Sequence, residues 1–294
     1  MVASKLSPSS RIIIYGLLTL IAIFWTIPTI GLLITSIRVP DDVASSGWWT
    51  VFAGKANFTM RNYIEVLGTG GVDASNAAAS NNLGQAFLNT IIMAVPSTVI
   101  PIFLAALAAY GFAWMSFPGR KILFMVLVAL LVIPLQMSLI PILRDYRTLG
   151  LNGTFLGVWL ANTGFGLSLA TYLLYNYIVT LPREVFESAV VDGASHPVMF
   201  TKLVVPLSVP AFASFAIFQF LWVWNGILIP LVFLGDKPGL VVLPQRILQM
   251  LGTYAANWTV TTAGAFVSMA LPLFIFIAFQ RYFVRGMMAG SVKG

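Results

Sequence analysis

The chain has 294 residues, 59% of them hydrophobic and only 9% charged, whereas soluble domains carry about 25% charged residues. Too few charges remain to cover a soluble surface, so lipid is the expected solvent for most of the chain. The net charge of +7 comes from Lys and Arg set singly or in pairs, which argues against a nucleic-acid partner, and no cysteine with a single histidine excludes thiolate or His-rich metal sites.

Residues 1–11 are polar and hold Lys5 and Arg11. A membrane helix needs about 20 apolar residues, and six stretches qualify, at about 12–37, 86–115, 122–143, 155–179, 207–234 and 263–279. The first ends in Ile37-Arg38 rather than in a small-residue cleavage site, so it is expected as a retained span and not a signal peptide. None of the six contains Asp, Glu, Lys or Arg, and all 9 acidic residues lie between them. The expected fold class is therefore all-α integral membrane, with a transmembrane domain over 12–280 and a tail over 281–294. Pro28, Pro96, Pro101, Pro134, Pro141, Pro210, Pro230 and Pro272 fall inside spans. Their freed carbonyls must be satisfied by neighbouring helices or water. They fit either a kinked, packed bundle or hinges at a substrate pathway.

Nine of the 16 Lys and Arg fall in the segments that are inside if the N-terminus is inside. The positive-inside rule then places both termini in the cytoplasm. The long outside loop 38–85 contains a patch from Gly68 to Asn82 rich in Gly, Ala, Ser and Asn, expected to be flexible. The loop 235–262 contains Pro238, Pro244, Tyr254 and Trp258, and reads as an interfacial segment or a contact surface for an external partner.

One inside loop, 182–206, reads as two short helices. Pro182 suits a first helical turn, and Glu184 and Glu187 lie early in it, where the macrodipole favours anions. Gly193 suits a left-handed C-terminal cap. Ser195 then caps a second helix with Pro197 just inside it, and Pro206 marks entry to the fifth span. Val185, Phe186, Ala189 and Val190 form one apolar face, which either packs on the bundle or meets a protein partner.

This loop resembles the cytoplasmic EAA loop of ABC importer permeases. That pattern is Glu-Ala-Ala, three residues, Gly, nine residues, then Ile-x-Leu-Pro. Here the positions are Glu187-Ser188-Ala189, Gly193 and Leu203-Val204-Val205-Pro206, with the spacing kept and Ser188, Leu203 and Val205 as departures. The C-terminal run from Gln280 to Gly294 is similar to the tail of carbohydrate-importer permeases of the maltose type. It points to the member like the maltose-system G subunit rather than to its larger partner permease.

The resemblance implies an ABC importer permease fold in a prokaryotic inner membrane, with a second homologous permease, two ATPase subunits and an extracytoplasmic solute-binding protein as partners. It implies no cofactor in this chain, with ATP and Mg held by the ATPase. Glu184, Glu187, Ser188, Ala189, Asp192, Gly193 and Pro206 would make the coupling site. Gly290 and Lys293 of the tail would reach the ATPase, and Pro244, Tyr254 and Trp258 would face the binding protein.

The chain has no Gly-x-x-x-x-Gly-Lys-Ser/Thr phosphate loop and no catalytic constellation, so it is not expected to be an enzyme. His196 is expected as a surface residue. Neutral hydrogen-bonding groups and aromatics in the spans are candidates for a sugar pathway: Gln219, Trp222 and Asn225 at a spacing of three, with Asn162 and Asn89. Spans without charge suit a neutral solute such as a di- or oligosaccharide. They disfavour an ion-coupled secondary transporter, which usually buries an ionisable group. An ABC permease for a non-sugar solute is the other alternative.

Overall fold

The computed structural model describes residues 7–54, 56–68, 83–253 and 258–289. Among them the regular elements are helical, and a single isolated antiparallel bridge joins Arg38 to Phe58. The chain sorts into two compact units, Met1–Asn82 with Ile247–Val267, and Leu83–Arg246 with Ser268–Gly294. The Gly- and Ala-rich patch lies outside the described residues from 69 to 82.

The first unit begins with α1 (Pro8–Ser36), whose Ser7 cap hydroxyl accepts from the Ser10 amide at 3.2 Å. Its apolar side chains face outward almost throughout, as a helix in contact with lipid requires. After it come α2 (Pro40–Ser45), a 3-10 turn over Trp48–Ala53 and α3 (Arg61–Leu67). Arg38 is fully buried, and its guanidinium donates to the Ser46 and Asp42 carbonyls and to the Ser46 hydroxyl. Asn62 donates to the Ser36 and Arg38 carbonyls and closes the end of α1.

The second unit is built on α4 (Leu83–Trp114). Then come α5 (Arg120–Ala129) with a 3-10 turn to Val132, α6 (Leu135–Thr148) and α7 (Phe155–Ile178). The loop helices α8 (Arg183–Val191) and α9 (His196–Met199) lead through a π-helical segment, Phe200–Val204, into α10 (Val205–Leu207). α11 (Val209–Asn225) and α12 (Leu228–Phe233) follow, and α13 (Leu243–Thr253) and α14 (Trp258–Ala289) each belong partly to both units. α4 packs along α7, and α11 packs on both. Small buried residues, Ala105, Ala106 and Ala109 against Ala170, let the backbones approach closely.

Among the described residues three helices are long and apolar enough to cross a membrane, and three bent helix pairs raise this to as many as six. The expected third span, 122–143, is not one helix. α5 and its 3-10 turn meet α6 at 102°. Ile133 is pushed into the extended region by Pro134, as a residue before proline must be (ψ 116°). The expected fifth span, 207–234, is broken at Gly226 (ψ 121°), so α11 and α12 are separate. The sixth, expected over 263–279, is longer at both ends, and Pro272 inside α14 does not interrupt it.

The carbonyl that Pro272 frees finds a donor on another helix. A helical proline at position i leaves the carbonyl of i−4 without an amide. Pro96 frees Ile92, whose carbonyl accepts from the Trp159 indole at 2.9 Å. Pro101 frees Ser97, whose carbonyl accepts from the Gln219 amide at 3.3 Å. Pro272 frees Ser268, whose carbonyl accepts from the Trp224 indole at 3.0 Å. Each helix therefore runs through its proline with a side chain from α7 or α11 in place of the missing N–H.

Trp224→Phe keeps a ring against Phe87 and Phe220 but deletes that donor. The expected cost is about 1 kcal/mol, the typical net worth of one hydrogen bond. Pro272→Ala in the same background restores an amide for Ser268 and should recover most of it. Thermal unfolding of the solubilised protein measures both, and equal loss with and without Pro272 sinks the pairing.

Candidate functional site

The loop 182–206 is shaped by its backbone. Pro182 occupies the cap position of α8. The C-terminus of α8 closes as a Schellman turn: Ala194 N–H donates to Ala189 O at 2.9 Å and Gly193 N–H to Val190 O at 3.0 Å. Gly193 has φ +75°, a conformation that L side chains strongly disfavour, so the turn requires glycine. Ser195 sits at the cap of α9, but its hydroxyl makes no capping bond.

The sequence expected Val185, Phe186, Ala189 and Val190 to act as one face, and the structure divides them. Phe186 is 3% exposed, while Val190 is 60% exposed. Phe186 lies flat on Trp114 of α4, with ring centroids 3.9 Å apart and planes at 17°. Beside it the Tyr110 hydroxyl pairs with His196 Nδ1 at 2.8 Å. His196, expected as a surface residue, is solvent-exposed and yet tied to a span.

Glu184, Glu187, Ser188 and Asp192 are all exposed. The Ser188 hydroxyl turns back to the Val185 carbonyl at 3.0 Å. Glu187 borders a cup of about 320 Å³ formed with Tyr110, Trp114, Phe186, His196 and Met199. The cup walls are apolar, with one carboxylate at hand. Pro206 is exposed on α10. The predicted coupling residues from 184 to 193 thus lie together on the outer side of one helix and its turn.

The predicted pathway residues do not form one group. Gln219 is 1% exposed and its amide is engaged by the Ser97 carbonyl, whereas Trp222 is 41% exposed. Asn225 is exposed and donates to Leu221 O at 2.8 Å. The expectation of a single face is corrected by helix geometry: steps of three turn about 60° backward each time, so residues six apart diverge by about 120°. What does converge is Trp222 with Asn162 and Gln136, around a cavity of about 290 Å³. Asn162 donates to Val158 O at 3.0 Å, which leaves its amide oxygen available. Trp222 also borders a larger cavity of about 960 Å³ between α6 and α7, whose lining is neutral but for Asp145.

Asn89 serves a different purpose. It is buried, and its amide donates to the carbonyls of Gly239 and Val241 at 2.8 and 2.9 Å. Thr90 accepts from the Leu243 amide, and Gln245 donates to Gly235 O. These bonds fix the segment 235–245, where Pro244 is half-buried. Trp258 is exposed in the other unit. Tyr254, Gly290 and Lys293 lie outside the described residues.

A family model described as "Binding-protein-dependent transport system inner membrane component" matches residues 86–289, which run from α4 through the loop to the end of α14. The chain belongs to this family. Family members are inner-membrane components of transport systems that depend on a binding protein. The chain is 53% identical, over 93% of its length and 89% of the relative's, to the osmoprotective compounds uptake permease protein GgtD of Synechocystis sp.. It is 40% identical to the alpha-glucoside transport system permease protein AglG of Rhizobium meliloti, covering 94% of this chain and 95% of that one. Its fold is like that of a chain in the crystal structure of a bacterial ABC transporter for the acidic polysaccharide alginate, with TM-score 0.73, 22% identity, and 95% and 99% of the two chains covered. The family's helical membrane fold thus carries the loop, and the residues that the sequence missed, Tyr110 and Trp114, come from a helix remote in sequence from their partners.

Proposed function

We propose that this chain is a membrane-spanning permease subunit of an ATP-driven importer for a neutral carbohydrate, a di- or oligosaccharide or similar glycoside. The observation that carries the reading is the exposed carboxylate of Glu187 on a helix that is itself bolted to α4 through Phe186. Such a helix can take a push from a cytoplasmic partner and pass it on. The partner would be an ATPase that holds ATP and Mg, working in a pair and acting on this loop and on its counterpart in a second permease. Both termini would then be cytoplasmic. The segment 235–245, fixed by Asn89, would face the extracytoplasmic binding protein.

The carbohydrate reading draws on the alpha-glucoside relative and on the neutral groups around the smaller cavity, Gln136, Asn162 and Trp222. Sugars present hydroxyls and apolar ring faces, which amides and an indole match without a charge. The test is reconstitution with the ATPase, the second permease and the binding protein. ATP hydrolysis should rise severalfold only when binding protein and sugar are both present. The binding protein's thermal shift, screened across alpha-glucosides, other oligosaccharides and small osmoprotective solutes, identifies the cargo. A shift with amino acids or ions and none with any sugar overturns the carbohydrate reading.

A further inference from the structure

We propose that Tyr110 and Trp114 are positioning residues that latch the α8–α9 loop to the end of α4, so that force received by the loop is delivered to the α4–α7 pair. The inference rests on the coupling role given to the loop above. Tyr110 and Trp114 are four residues apart and share one face of α4. Each grips a different part of the loop. Trp114 stacks on Phe186 of α8 at 3.9 Å. Tyr110 bonds His196 at the start of α9, and its ring lies against Phe200 at 5.5 Å. The two grips stand on opposite sides of the Gly193 turn, so the loop is held at two points and cannot pivot about either.

The exit toward α11 is built differently. Residues Phe200–Val204 form a π-helical segment, and the chain then bends by 72° between Leu207 and Val209. A π-helical turn is a local departure from regular hydrogen bonding. The loop is therefore tied to α4 by side chains on both sides of its turn, and reaches α11 through a bent backbone. On the inner face Phe186 and Val204 are buried in one cluster with Ala109 and Tyr110 of α4, Ile178 of α7 and Phe215 of α11.

The chemistry of the two grips differs. A tyrosine hydroxyl donates to a neutral imidazole nitrogen and accepts from a protonated one, so the Tyr110–His196 contact survives in either protonation state. Trp114 Nε1 has no hydrogen-bond partner, so its grip is the ring alone.

The experiment uses the assembled importer in nanodiscs and reads two quantities. One is backbone amide exchange over 183–204. The other is solute transported per ATP hydrolysed. Tyr110→Phe and His196→Ala should each raise exchange by about fivefold, the population change that follows from one lost hydrogen bond of typical net strength. Transport per ATP should fall by a similar factor, about fivefold, while ATP hydrolysis continues. The double variant should be no worse than either single one, because they remove the same bond. Trp114→Phe should lower coupling less than Trp114→Ala, because it keeps a six-membered ring on Phe186.

Unchanged exchange in His196→Ala overturns the latch, as does a double variant whose losses multiply. His196 is exposed, so its substitution carries the test if Tyr110→Phe fails to insert. The loop's coupling role fails separately. If Glu187→Lys transports normally, that role falls while the exchange data still report the grip. If Glu187→Lys is inactive but His196→Ala keeps full transport per ATP, only the latch falls.

Discussion

Glu187→Lys is expected to abolish solute uptake while leaving the amount of folded, membrane-inserted chain unchanged. Glu187 is exposed on α8 beside the apolar cup, and its reversal removes nothing that the fold depends on. At a docked interface the same change sets two like charges together where a charge-assisted contact is proposed. Truncating one member of such a pair costs several kcal/mol of binding, so reversal should lower uptake by more than about a hundredfold. Uptake of labelled sugar in cells, normalised to immunodetected permease, measures it. Normal uptake would remove Glu187 from the coupling site and leave the loop without a proposed function.

Asn89→Leu is expected to cost about 1–3 kcal/mol, because it removes the donor from the Val241 carbonyl in a buried bond and one bond from the half-buried Gly239 carbonyl. The side chains are close in volume, so lost packing is a small part of the effect. Both amide hydrogens of Asn89 hold the 239–241 segment, and its oxygen accepts from Gln85 at 3.0 Å. Asn89→Asp keeps that last acceptor and points a carboxylate at two carbonyls, so it should be at least as damaging. Thermal unfolding gives the stability change, and stimulation of ATP hydrolysis by the binding protein reports the loss of the segment's shape. A variant with unchanged melting and stimulation would show that Asn89 is not the strut of this segment.

The sequence made the apolar segments and the turn of the 182–206 loop legible for physical reasons. A span needs a long uncharged run, and a left-handed turn needs a residue such as Gly193, and both requirements are local. It did not reveal which prolines break a helix. Pro134 and Pro272 look alike in sequence, yet Pro134 ends up starting α6 while Pro272 sits within α14. The carbonyl that Pro272 frees is satisfied by Trp224, a donor 48 positions away from that proline, and no local pattern encodes it. Asn89 was misplaced for the same reason, since its partners lie about 150 residues further on. His196 was read from polarity alone, which gives exposure correctly but says nothing of a tyrosine 86 residues earlier. The Gln219, Trp222 and Asn225 group failed on arithmetic, because a spacing of three approximates a helical face over one turn but not over two.

The three proline and donor pairs also constrain the order in which such a chain can acquire its residues. Trp224 without Pro272 can still share the Ser268 carbonyl, which has two lone pairs, while Pro272 without Trp224 takes away that carbonyl's indole donor. The same holds for Trp159 before Pro96 and Gln219 before Pro101. The donor must come first, and once the proline is in place the donor can no longer be lost alone. Each pair thus behaves as a ratchet, which fixes a tryptophan or glutamine through the proline of the neighbouring helix.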